Sequence, residues 1–242
     1  MIDFFSALYH TFLYQPFLNA LILLSQILPG KDFGVAVITL TLLFRLATYP
    51  LAAQALRAQK KFGELQSKVK EIQEKFKNKK EDQTRAILEL YKKEHVNPLA
   101  GFLPILIQMP VFIVLYQIFA RGLHEEQLSG LYSFIPKPQD LDPSFLGLVN
   151  LNEKSFFIAL LAGVFQFIQL KQAAQPKKTG AKGKPDMASM LQVQMLYLFP
   201  LLLVWIASSL PSAFGLYLIA TTVFSIWQQW LMNKKEKPKL AA

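Results

Sequence analysis

From Phe33 to Leu56 the chain stays apolar for about the thickness of a bilayer, and the one charge in that run, Arg45, sits at its middle. A helix needs about 20 such residues to cross a hydrocarbon core. The guanidinium cannot be neutralised, and at bilayer depth it costs roughly 2.5–3.5 kcal/mol on insertion scales. Further apolar runs follow at about 99–120, 155–171, 190–209 and 212–232, none holding Asp, Glu or His. With no acid in any span to pair it, Arg45 is expected to face water held inside the protein, or a partner.

The rest of the composition narrows the class. Hydrophobic residues make up 52% of the 242, which with these runs predicts a polytopic, all-α membrane protein. The absence of cysteine excludes disulfides, thiolate metal sites and a thiol nucleophile, and the three histidines have no ligand spacing. The amino terminus lacks a basic n-region, so the chain is expected to start with mature structure.

Residues 1–32 place Thr11, Gln15, Asn19 and Gln26 on one helical side and Phe5, Phe12, Ala20, Leu23 and Ile27 on the other. That pattern predicts an amphipathic helix lying in the membrane interface, with an extra span interrupted by Pro16 as the competing reading. A first transmembrane helix is expected over 33–56. In 57–97, Leu56, Phe62, Leu65, Val69, Ile72 and Phe76 recur at spacings of six, three, four, three and four, and the pattern breaks at Asn78. This predicts a hairpin of two amphipathic helices. A second span, 98–120, carries Pro104 and Pro110, and a polar loop covers 121–154. A third span over 155–171, a linker over 172–189, two spans within 190–232 and a basic tail over 233–242 complete the five-helix core. Lys and Arg number twelve in 57–97, five in 171–187 and four in the tail, against three in 121–154. The bias places hairpin, linker and carboxyl terminus in the cytoplasm.

No catalytic constellation is present: there is no HExxH, no GxSxG and no glycine-rich phosphate loop. The protein is therefore not expected to be an enzyme, nor to need a metal or cofactor. Its spans carry scattered amides and hydroxyls instead: Thr41 beside Arg45, Thr48 and Tyr49, Gln108 and Gln117, Gln166 and Gln169, and Thr221, Thr222, Ser225 and Gln228. Such groups commonly bond across packed helices. Around a permanent cation they also describe a hydrated intramembrane cavity that attracts acidic groups. An alternative reading is a small-anion channel or transporter lined by Arg45. Transporters usually show internal repeats, and none is seen here.

Four strings carry a resemblance. LYKKEHVNPLAGFLPILIQMPVFIVLYQIF (90–119), ITLTLLFRLATYPLAAQALRAQKKFGELQ (38–66), YQPFLN (14–19) and GLYLIATTVFSIWQQ (215–229) resemble, in that order along the chain, segments of the YidC/Oxa1/Alb3 family of membrane-protein insertases. The resemblance implies a five-helix core enclosing a hydrophilic groove, and a minimal form without the large periplasmic domain of many relatives. Its client-binding groove residues fall on Arg45, Gln108 and Gln169, with Thr41 alongside and Tyr217 on the last span. Members often carry a second aromatic after that tyrosine, where this chain has Leu218. The implied activity is insertion and chaperoning of nascent membrane proteins in the bacterial inner membrane. Implied partners are those clients and the lipid bilayer, with the ribosome and the Sec translocon as further candidates, and a monomer is expected to suffice.

Overall fold

The computed structural model describes residues 7–77, 79–97, 103–121, 130–138, 143–173 and 187–236. Most of the linker, the end of the basic tail, Phe5, Asn78 and part of the 121–154 loop lie outside the described residues. The described chain is almost wholly helical and divides into two compact units, one made by residues 48–109 and one by the chain on either side.

The first unit begins with α1, Gln15–Ile27, entered through a π-helical turn at His10–Tyr14. Pro16 has no amide to bond the Phe12 carbonyl, and the wider turn accommodates that gap without ending the helix. Leu18, Leu21 and Ile22 are wholly buried, each contributing about 1.5–3 kcal/mol by burial. Phe12 and Ile27 lie exposed on the opposite side. The polar side is not left to water. Asn19, 2% exposed, receives the Tyr132 amide (2.7 Å) and donates to the Gly130 carbonyl (3.3 Å), and Gln26 donates to the Pro136 carbonyl (2.7 Å). A stretch expected as free loop is thereby tied down by amide side chains standing in for a strand partner.

Helix α2, Phe33–Ala47, opens on Asp32, whose carboxylate accepts the Val35 amide at 2.9 Å. The helix expected to continue to residue 56 ends at Ala47. Thr48 leaves helical geometry, and α3, Tyr49–Lys75, starts afresh with Pro50 in its first turn. Proline has no amide for the Leu46 carbonyl and its ring crowds that position, so the break falls where the chemistry demands it.

Helix α3 packs on α4, Lys80–Lys93, in the second unit. They run antiparallel, with Phe62 against Tyr91, the Gln83 amide donating to the Gln73 carbonyl, and Lys68 bonded to Glu94 at 2.6 Å. Helix α5, Leu103–Arg121, leads back into the first unit.

There it joins α6 (Phe156–Ala173), α7 (Met187–Ser209) and α8 (Ser212–Glu236). Helix α6 packs against both α7 and α8, and α8 also against α2. Gly163 permits the closest approach: a Cβ there would collide with Val204 of α7 and press on the Pro200 carbonyl. Strands β1 (Ser144–Phe145) and β2 (Val149–Asn150) form a small antiparallel hairpin before α6.

The hydrophobic core lies entirely in the first unit, and the outer sides of α6 and α7 are apolar as well, with Phe156, Leu160, Val164, Leu201 and Trp205 exposed. A surface so extensively apolar calls for a non-aqueous neighbour. Among the described residues, α6 alone is long and apolar enough to cross a membrane, with a second candidate if α2 and α3 are counted together. Shorter apolar stretches are Gln108–Phe119 and Gln194–Ser209.

Candidate functional site

Arg45 lies in the last turn of α2 and is half-buried among apolar helices. Its Nε donates to the Thr221 hydroxyl of α8 at 2.5 Å. Thr221 stands one helical turn beyond Tyr217, so hydroxyl and phenol share a face and meet the cation together. Tyr217 is 1% exposed. Its hydroxyl lies beside Arg45 and Thr221 yet has no partner in hydrogen-bonding geometry among the described residues. An enclosed phenol left so costs free energy.

Thr41, one turn before Arg45, is buried and donates to the Val37 carbonyl of its own helix at 2.7 Å. Its proton is committed there, so the hydroxyl can offer only lone pairs. Thr41, Tyr217 and Thr221 line one small recess, closed by Phe17, Leu21, Phe44 and Leu115 among others. The cavity volume is about 10 Å³, room for about one water. This recess is a largely apolar notch whose polar lining is the hydroxyls of Thr41, Tyr217 and Thr221.

The structure brings Arg45, Thr41 and Tyr217 together. Gln169 is half-buried on α6 and does not line the recess. Gln166, one turn earlier, meets the Thr222 hydroxyl at 3.4 Å. Gln108 lies on α5 within the second unit, as do Thr48 and Tyr49. The partner the expected set omitted is Thr221. The signal was available: a hydroxyl four residues after Tyr217 in an otherwise apolar span.

In the second unit the charges stay in water. The Lys68 ammonium beside Glu94 holds that carboxyl below the usual carboxylate range. Burial against Phe62 pushes the Tyr91 phenol up.

A family profile described as "60Kd inner membrane protein" matches residues 23–239. A protein of Oceanobacillus iheyensis named "Membrane protein insertase YidC" is 32% identical over 209 residues, covering 85% of this chain and 76% of its own. Proteins of the same name from Francisella philomiragia and Francisella tularensis subsp. novicida are 30% and 29% identical over 203 residues. This chain spans only 33% of the length of each Francisella relative.

Proposed function

Because the chain belongs to the 60Kd inner membrane protein family, we propose that it is a membrane-protein insertase, as its relatives are named. An insertase moves a polypeptide segment between phases and breaks no covalent bond, in keeping with a sequence that holds no catalytic constellation. The observation that carries the reading is Arg45 bonded to Thr221 beside the unpartnered Tyr217 hydroxyl, in helices whose outer faces are apolar. A fixed cation with oriented hydroxyls offers the polar end of a nascent segment what water would otherwise supply. The exposed apolar faces of α6 and α7 offer its hydrophobic part a route beside lipid.

The size of the recess adds a requirement. Room for one water does not admit a carboxylate with its chain, so the notch must widen as the client enters. The side chains to be displaced are Phe17, Phe44 and Tyr217. Entry is drawn by Coulomb attraction to Arg45 and completed by partition of the client's apolar helix. The membrane potential contributes about 2.3 kcal/mol per charge per 100 mV. In this reading five spans cross the bacterial inner membrane, and the α3–α4 hairpin, the linker and the basic tail are cytoplasmic. The hairpin meets nascent clients first, and the tail approaches the ribosome. A monomer completes the groove, to which Gln108 and Gln169 add polarity.

The test is insertion of a short client with an acidic extracytoplasmic tail into liposomes holding the purified protein. Arg45→Ala should slow insertion and Arg45→Lys restore part of it. Crosslinking of a stalled client to a photoreactive probe at position 45 should follow the same order. Full insertion by Arg45→Ala together with no crosslink at 45 defeats the proposal. Uptake of a small anion without client insertion would favour a channel in its place.

A further inference from the structure

The β1–β2 hairpin carries two leucines at its tip that nothing in the fold requires to be apolar. Leu146 is 62% exposed and Leu148 83% exposed. They flank a tight turn, closed by the Leu148 amide on the Phe145 carbonyl (3.0 Å), in which Leu146 and Gly147 both have positive φ, 53° and 66°. Asn, Asp or Gly ordinarily fill such positions, because a branched side chain is crowded there. The tip is not loose. Phe145 packs so tightly on Gly34 that a Cβ at that glycine would collide with its ring, and Leu151 is wholly buried. The Asp32 carboxylate takes the Leu146 amide as well as the Val35 amide. Ser212 donates its hydroxyl to the Asn150 carbonyl, and Ala213 its amide to that of Leu151.

We infer that this tip is a lipid anchor, seated at the boundary between headgroups and acyl chains where α2, α6 and α8 begin. The fastenings fix its level. Asp32 immediately precedes α2, Ser212 opens α8, and Phe156, itself exposed, opens α6 five residues after the buried Leu151. The hairpin thus shares the depth at which the apolar helices meet the membrane surface. Charge agrees with that depth. Among the described residues of these segments the two acids are engaged internally, Asp32 by two amides and Glu153 by the Asn150 side-chain amide, while Lys31 and Lys154 are exposed. Free ammonium groups beside leucines suit phosphate headgroups above acyl chains. A protein occupant fits less well, since a convex tip of two leucines offers far less than the roughly 800 Å² per partner of a stable interface.

The inference rests on the bilayer residence assumed above but not on insertase activity. The chain has no cysteine, so single positions can be labelled cleanly. Full-length Leu148→Cys and Leu146→Cys proteins would carry an environment-sensitive fluorophore in phosphatidylethanolamine–phosphatidylglycerol vesicles with a nitroxide near the headgroup. Probes at Asn152 and Leu160, both exposed, serve as water and bilayer references. The expected result is blue-shifted emission at 146 and 148, most of it lost to the shallow nitroxide, with Asn152→Cys still open to aqueous iodide. Emission at 148 matching that at 152 overturns the inference, as does a blue shift untouched by nitroxide, which means protein covers the tip. If the Leu160→Cys probe also escapes quenching by nitroxides at any depth, bilayer residence itself fails and takes the anchor with it.

Discussion

Arg45 and Lys68 carry the same formal charge in two units that treat it in opposite ways. Lys68 sits on a hairpin where α4 buries no residue fully and α3 only Ala53, Ala55 and Leu65. Its partner Glu94 is solvated, so the pair is strong in geometry and weak in energy. Arg45 is held among apolar helices, where each neighbouring dipole counts for more because little water screens it. The lesson is that this chain separates polarity by purpose. The hairpin uses it for solubility and reach, whereas the helical core admits it only where it is oriented and enclosed.

The sharpest way to break that contrast is to remove the core cation. A hydrogen bond to a charged group is worth about 1.5–3 kcal/mol, so Arg45→Ala should cut the initial insertion rate of an acidic-tailed client roughly tenfold or more. Thr221→Val, which leaves the charge but removes the acceptor of its Nε, should cost less; equal losses would mean that orientation outweighs charge. If the core polarity were merely structural, both variants would instead lower thermal stability in detergent and leave the insertion rate per folded molecule unchanged.

The packing side of the comparison is tested at Gly163. Gly163→Val should destabilise the first unit by about 1–3 kcal/mol through overpacking against Val204 and the Pro200 carbonyl. Tryptophan fluorescence during thermal unfolding reads this directly, and the α3–α4 hairpin should keep its own melting behaviour. Next in size is Asn19→Leu, which strands the Tyr132 amide at roughly 1–2 kcal/mol, while Gln15 still donates to the Gly130 carbonyl. Hydrogen exchange at Tyr132 should rise while that at Leu65 does not.

The smallest effect belongs to the hairpin. Lys68 lowers the Glu94 pKa in the folded protein relative to the unfolded chain. The contribution of the pair is therefore complete above the ordinary carboxylate range and fades as pH falls through the lowered value. Spin labels on α3 and α4 should report a slight loosening on acidification, absent in Glu94→Gln and reduced by salt. An unchanged acid response in Glu94→Gln would show that hydrophobic contact between Phe62 and Tyr91 alone sets the pairing.

The sequence determined the helical class, the solvated character of the hairpin, and Arg45 as the charge carried within an apolar run. These are local matters: run length, periodicity and a charge inside an apolar stretch are readable without knowing what lies opposite. Thr41 was also legible, as a polar group in an apolar run, and Tyr217 through the family resemblance. Tertiary structure alone decided which polar groups meet. Thr221 of α8 lines the recess and Gln169 of α6 does not, a choice set by which face each helix turns toward its neighbours. The loop that Asn19 and Gln26 hold, and the β hairpin against Gly34, depend on contacts more than a hundred residues apart in sequence. No periodicity encodes such pairings. They follow from which backbone groups remain unsatisfied once the helices have packed.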